Sequence, residues 1–208
     1  MSVITAIEEQ KKDKNRVSLY IDGQFYCGMA LETILQNRIK VGQVVDRAEL
    51  DQLQFESEKS SALDKALKHL SSAMKTEKET SDFLRRKGYV EPVIEYVLQK
   101  LRSYGFVDDE EYARQYASFA SKNKGKRLVG AELQRKGVAA DVAESIVERL
   151  EGQDEAAFAI LQKYLRAKEI TRENLYKATR YLLGKGFDYD TVKSAVCKFG
   201  DTDEDNTF

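Results

Sequence analysis

Leu84-Arg85-Arg86-Lys87-Gly88, Leu133-Gln134-Arg135-Lys136-Gly137 and Leu182-Leu183-Gly184-Lys185-Gly186 are three versions of one short stretch, spaced 49 residues apart both times. A Lys-Gly pair closing an apolar-periodic segment is a helix stop: the cation faces the negative end of the helix dipole, and the glycine turns left-handed just past the cap. Counting on from each glycine, offsets +5, +6, +9, +10 and +13 select Val93, Ile94, Val97, Leu98, Leu101, then Val142, Ala143, Ile146, Val147, Leu150, then Thr191, Val192, Ala195, Val196, Phe199. A chain that is 42% hydrophobic would place about six apolar residues at these fifteen positions by chance. Only Thr191 is polar, so the spacing predicts a buried helical face after each of the turns at Gly88, Gly137 and Gly186. The chain is an array of helical repeats.

The bulk numbers agree with an array. The chain has 208 residues, 33% charged, with a mean hydropathy of −0.55, which suits small modules better than one thick globule. One proline, no tryptophan and abundant helix formers favour a mainly α fold. The formal net charge of −1 excludes a globally cationic nucleic-acid binder and leaves room for local patches. Residues 122–136 form such a patch, with Lys122, Lys124, Lys126, Arg127, Arg135 and Lys136 against Glu132 alone. Cys27 and Cys197 stand far apart with no CxxC spacing, so neither zinc nor a redox pair is expected. No leader-like or membrane-spanning pattern occurs, and a soluble cytoplasmic protein is expected.

Taken in order, Arg16 to Ile21, Asp22-Gly23 and Gln24 to Met29 read as strand, type I′ turn and returning strand, with Val3 to Glu8 as a third strand. A short helix follows from Ala30 to Asn37, then a brief extended piece from Val41 to Val45. Residues 1–56 are read as a small N-terminal domain containing this hairpin, although the polar run 56–61 can equally continue a helix. Residues 57–104, 105–152 and 153–200 are read as three three-helix repeats, and 201–208 as an acidic disordered tail. Helix starts are assigned to Thr76 with Glu79, to Asp108 with Glu111, to Asp141 with Glu144, and to Asp154, Thr171 and Asp190. Pro92 belongs in the first turn of a helix. The predicted class is mainly α, with tandem helix-turn-helix-like repeats in an elongated array, because only neighbouring modules have apolar faces to share.

Gly105-Phe106-Val107-Asp108-Asp109-Glu110, then Tyr112-Ala113, then Glu132-Leu133 with Lys136-Gly137, together with the echoing turns at Gly88 and Gly186, resemble the RecX regulators of the bacterial recombinase RecA. The similarity covers roughly residues 60–200, and the N-terminal domain resembles an extension found in part of that family. The resemblance implies a non-enzymatic protein that binds RecA and the RecA–DNA filament, lying along the filament groove and restraining its growth, ATP hydrolysis and strand exchange in recombination and repair. The array of modules that share faces only with neighbours predicts a monomer. One departure stands out. Where the family usually has a basic residue followed by Ile ahead of the Glu-Leu pair, this chain has Leu128, Val129 and Gly130, and its positive charge sits at Lys126 and Arg127.

The alternative is an autonomous DNA binder that acts by competing for DNA through its helix-turn-helix-like modules. Lys122, Lys124, Lys126, Arg127 and Arg135, with Arg85 and Arg86 one module earlier, are the candidate contacts for phosphate or for acidic patches on a partner. Their bland reading is a set of solvated helix ends. No third helix carries the early Arg, Asn or Gln cluster that base reading favours, so weak, sequence-independent nucleic-acid binding is the most this pattern implies. Tyr112, Tyr116 and Phe119 share a helical face and are read as core rather than as base-stacking groups. Asp108 to Glu111 crowd a helix start and are read as capping, not as metal ligands. His69, the sole histidine, is read as a surface residue. No catalytic constellation, nucleotide-binding glycine motif, metal site or cofactor is predicted.

Overall fold

The computed structural model describes residues 2–11 and 13–204, the last five of these by backbone alone. The chain divides into two compact units, Met1–Asp108 and Asp109–Phe208.

In the first unit, strands β1 (Ser2–Gln10), β2 (Asp13–Ile21), β3 (Gln24–Ala30) and β4 (Val44–Val45) form an antiparallel sheet in the order β3-β2-β1-β4. The β2–β3 link takes φ of +52° at Asp22 and +82° at Gly23, the two left-handed residues that a type I′ turn needs. Period-2 alternation points Val17, Leu19 and Ile21 inward with Cys27 and Met29. There they pack with Ile34 of helix α1 (Leu31–Gln36) and Leu50 of α2 (Arg47–Leu70).

Helix α2 passes through the point where the sequence suggests a boundary at residue 56. The polar run 56–61 continues the helix because its inward positions are used. Glu58 is buried against Arg16, while Ala62 and Ala66 join a second core. That core belongs to the first three-helix module, which α2 shares with α3 (Glu77–Arg86) and α4 (Glu91–Ser103). Thr76 and Glu79 form the expected reciprocal capping box on α3, and Pro92 lies in the first turn of α4. All five predicted stripe residues of α4, from Val93 to Leu101, are buried.

The second unit holds two further modules: α5 (Asp109–Ala120), α6 (Lys126–Arg135) and α7 (Ala140–Glu148), then α8 (Gln153–Leu165), α9 (Arg172–Gly184) and α10 (Tyr189–Glu204). Each module has its own apolar cluster, centred on Ala113, Ala117, Val129 and Leu133 in one and on Leu161, Leu182, Phe187 and Val192 in the other. Gly88, Gly137 and Gly186 have φ of +85°, +101° and +88°, the left-handed turn expected of all three.

Several expectations need correction. Asp141 and Glu144 do not form a capping box: α7 starts at Ala140, the best helix former available, with Ala139 as N-cap and no side-chain cap bond. Asp154 lies inside α8, whose N-cap is the left-handed Gly152. Asp188, not Asp190, holds the start of α10, accepting the Thr191 N–H at 2.8 Å and its hydroxyl at 3.0 Å. That bond explains the one polar residue in the repeated stripe. Phe119 is not core but 73% exposed. The buried stripe of α5 is Tyr112, Ala113, Ala117 and Ala120, and at 100° per residue Phe119 lies about 100° from its centre. The expected disordered tail begins too early, because α10 runs on to Glu204; elongating a formed helix costs little. Residues 205–208 lie outside the described residues.

Candidate partner and nucleic-acid interface

The basic window lies on the loop before α6 and on α6 itself, and the third module is packed against it. The Gly125 N–H donates to the Lys185 carbonyl at 3.0 Å and the Arg127 N–H to the Gly186 carbonyl at 3.2 Å, while the Lys126 N–H donates to Gln153 Oε1 at 3.1 Å. A Cβ at Gly125 would overlap Gly186 and Phe187. The first approach of the two modules is therefore backbone to backbone, which only glycine permits.

Three of the cations are occupied, Lys124 and Lys126 within the second module and Arg127 across the seam. Lys124 Nζ donates to both carboxylate oxygens of Glu132 at 2.7 Å, and the Tyr116 hydroxyl adds a 2.6 Å bond to the same carboxylate. Burial pushes the Glu132 carboxyl up, but the bonds from Lys124 and Tyr116 outweigh it and hold the group below its ordinary range. Lys126 Nζ donates to the Glu148 carbonyl at 2.8 Å and Arg127 Nη2 to the Leu183 carbonyl at 2.9 Å. Both acceptors lie in last turns, of α7 and α9, where a cation meets the negative dipole end. Lys122 is exposed, and Arg135 is 77% exposed with Glu132 at 3.9 Å. With Arg127, exposed despite its bond to Leu183, these are the cations of the window turned toward solvent.

Arg85 is tied to Asp82 at 3.0 Å and to Glu91 at 3.1 Å; such exposed pairs contribute little to stability. Its neighbour Arg86 is exposed and makes no ion pair among the described residues. The lysines of the repeated turns lie over aromatic faces: Lys87 over Phe83 at 5.5 Å, Lys136 over Tyr112 at 5.4 Å, Lys185 over Tyr181 at 5.4 Å. In the first and third repeats the ring stands four residues before the lysine, a periodic signal the sequence carries openly.

Other candidate chemistry finds structural partners. Glu110 and Glu111 pair with Arg114, and no cluster of metal-ligating side chains occurs among the described residues. His69 stacks on Phe83, with ring centroids 4.0 Å apart. The Cys27 thiol is buried and pushed up to about 12 by desolvation, so it is not a nucleophile near neutral pH. No described helix is long and apolar enough to cross a membrane.

Polar groups that hold the first unit together escape a reading by pattern. Gln54, fully buried on α2, donates to the Gly28 and Gly88 carbonyls and accepts the Val90 N–H at 2.6 Å. Arg16 of β2 is buried in an ion pair with Glu58 of α2.

Four family models match in order along the chain: the regulatory protein RecX N-terminal domain over residues 2–46, and the RecX first, second and third three-helix domains over 62–101, 108–145 and 151–196. The chain belongs to the RecX family. Among its relatives, the regulatory protein RecX of Clostridium perfringens (strain 13 / Type A) is 33% identical over 94% of this chain and 95% of its own length. That of Clostridium botulinum (strain Eklund 17B / Type B) is 32% identical with the same coverage. A crystal structure of regulatory protein RecX superposes with a TM-score of 0.61 at 26% identity, covering 93% of this chain and 98% of the other. A crystal structure of RecX from Lactobacillus salivarius gives a TM-score of 0.62 at 26% identity, over 68% of this chain and 96% of its own. This RecX-family chain thus carries the family's N-terminal domain as well as all three of its helical domains.

Proposed function

We propose that the chain is a non-enzymatic regulator that binds RecA and the RecA filament on DNA, restraining filament extension, ATP hydrolysis and strand exchange. The observation that carries this reading is the ordered set of four RecX domain matches along one chain. The seam between the second and third modules fits it. Of the cations in the basic window, Lys124 and Lys126 are bonded within the second module, to Glu132 and Glu148, while Arg127 reaches Leu183 of the third. Arg127, with the backbone bonds at Gly125 and Gly186, thus helps to fix two modules relative to one another. A multi-module surface held in register suits a partner that is itself a repeating assembly, where binding free energy is spread over several contacts. Cosedimentation with RecA filaments assembled on single-stranded DNA tests the reading: the chain pellets with filaments well in excess of its pelleting with the same DNA alone at the same salt. Pelleting in proportion to DNA, with or without RecA, is the result of a protein that only competes for DNA.

A further inference from the structure

A second concentration of positive charge lies wholly within the first unit, in a cleft of about 700 Å³ between the β2–β3 side of the sheet, the end of α2 and the end of α3. Its walls carry Arg16, Lys65, Lys68, Arg86 and Lys87 against one carboxylate, Asp13. Lys65 and Lys68 are three apart on α2 and so share a face, where like charges repel. Among the described residues none of Lys65, Lys68, Arg86 and Lys87 makes an ion pair. Lys65 instead lies 5.5 Å over the Tyr89 ring and Lys87 over that of Phe83.

The helix-end explanation does not absorb this charge. Two helix C-termini amount to about one negative charge together. With Arg16 balanced by Glu58, the four remaining cations less Asp13 leave three positive charges. Arg16, its side chain 7% exposed and paired with Glu58, lines the cleft from the sheet side. Flat apolar surface lies alongside: His69 stacks on Phe83, and Phe25, packed edge-on to Tyr20, is 53% exposed at the rim. Burial, with the charges of Lys75 and Arg86, holds the His69 imidazole below its ordinary range, as expected where positive charge has gathered.

We propose that this cleft is a binding site for a phosphate-bearing ligand, either a free nucleotide or the backbone of a nucleic-acid strand. Lys65, Lys68 and Arg86 hold the phosphate, and Phe25 offers a face to a base. The volume is that of a site for a nucleotide-sized ligand, and cations beside an exposed ring are the recurring means of holding single strands. The site does not depend on the RecA reading and is tested without RecA.

The test measures anisotropy of a fluorescein-labelled dodecathymidylate with the full chain at several salt concentrations, with ATP as competitor in the absence of metal. The expected result is binding that weakens at least tenfold in the Lys65→Ala/Lys68→Ala/Arg86→Ala variant. Its salt slope should fall by about two, since each phosphate contact on a single strand contributes about 0.7. The Arg172→Ala/Lys193→Ala variant, at exposed positions of the third module, should stay within twofold of the wild type. Displacement by ATP assigns the site to a free nucleotide, and displacement only by unlabelled oligonucleotide assigns it to a strand; both uphold a phosphate site. Should the triple variant fail to fold, Lys68→Glu, at an exposed position, carries the same comparison. The proposal is overturned if neither probe binds, or if the cleft variants bind as the wild type does.

Discussion

The Gly28 N–H of β3 donates to the Gly88 carbonyl at 2.8 Å, so the first Lys-Gly turn is also the point where the sheet meets the first helical module. Gly88 is left-handed, and a Cβ built on it would stand 3.0 Å from the Gly28 nitrogen. The same device recurs at Gly186, whose carbonyl accepts the Arg127 N–H and whose added Cβ would collide with Leu128. A turn that first serves to stop a helix is thus used twice as a docking point.

Gly88→Ala therefore incurs both a left-handed backbone cost of about 1–2 kcal/mol and the loss of a close approach. Gly105→Ala, also left-handed but with open space around its Cβ, incurs the first cost alone. Chemical denaturation should rank Gly88→Ala clearly below Gly105→Ala. Equal loss at both positions would mean that the approach to Gly28 contributes nothing.

Gly130 gives the opposite sign. It sits inside α6 with an ordinary φ, and an added Cβ would make van der Waals contact with Val147 at 3.7 Å. Gly130→Ala should stabilise the second unit by about 1 kcal/mol, the helix-propensity difference, read as a higher midpoint in urea.

The buried Arg16–Glu58 pair joins β2 to α2. Removing one partner leaves a buried charge alone, and Glu58→Ala should destabilise the first unit by about 3–5 kcal/mol. Arg16→Met combined with Glu58→Leu should recover most of that loss, since an apolar pair of similar volume avoids the desolvation cost. A double variant as unstable as Glu58→Ala would argue that the charges themselves are required.

The Lys124–Glu132–Tyr116 cluster predicts a pH dependence. The folded Glu132 carboxyl is held below its ordinary value of 4.5. Its contribution is therefore complete above that value and is lost as pH falls through 4.5 toward the folded pKa. Glu132→Gln should lower stability at pH 7 by roughly 1–2 kcal/mol and flatten the acid limb of the stability profile. An unchanged acid limb would remove Glu132 from the account of the second module.

What the sequence shows openly is local. The Lys-Gly turns, the Asp22-Gly23 hairpin and the Thr76–Glu79 box are each decided by residues within a few positions of one another, and periodicity places the buried face of α4. What it conceals depends on tertiary approach. Arg16 meets Glu58 across 42 positions and Gln54 meets Gly88 across 34, and together they turn a polar run into the continuous helix α2. The candidate interface divides the same way. A basic window is plain in composition, but Arg127 is bonded to a carbonyl 56 residues on and Lys126 to one 22 residues on. The cleft cations Lys65 and Lys68 stand 18 or more residues from Arg86, so no window of sequence collects them.

RecA-dependent ATP hydrolysis on single-stranded DNA, measured with and without the chain, tests the central claim most directly. Substoichiometric chain added to assembling filaments should depress the steady-state rate. The Lys122→Ala/Arg135→Ala variant should retain most of that inhibition, because a surface spread over several modules does not depend on two exposed cations. A rate unaffected by the chain, or one that falls only when the chain is abundant enough to sequester the DNA, would contradict a regulator that acts on the filament.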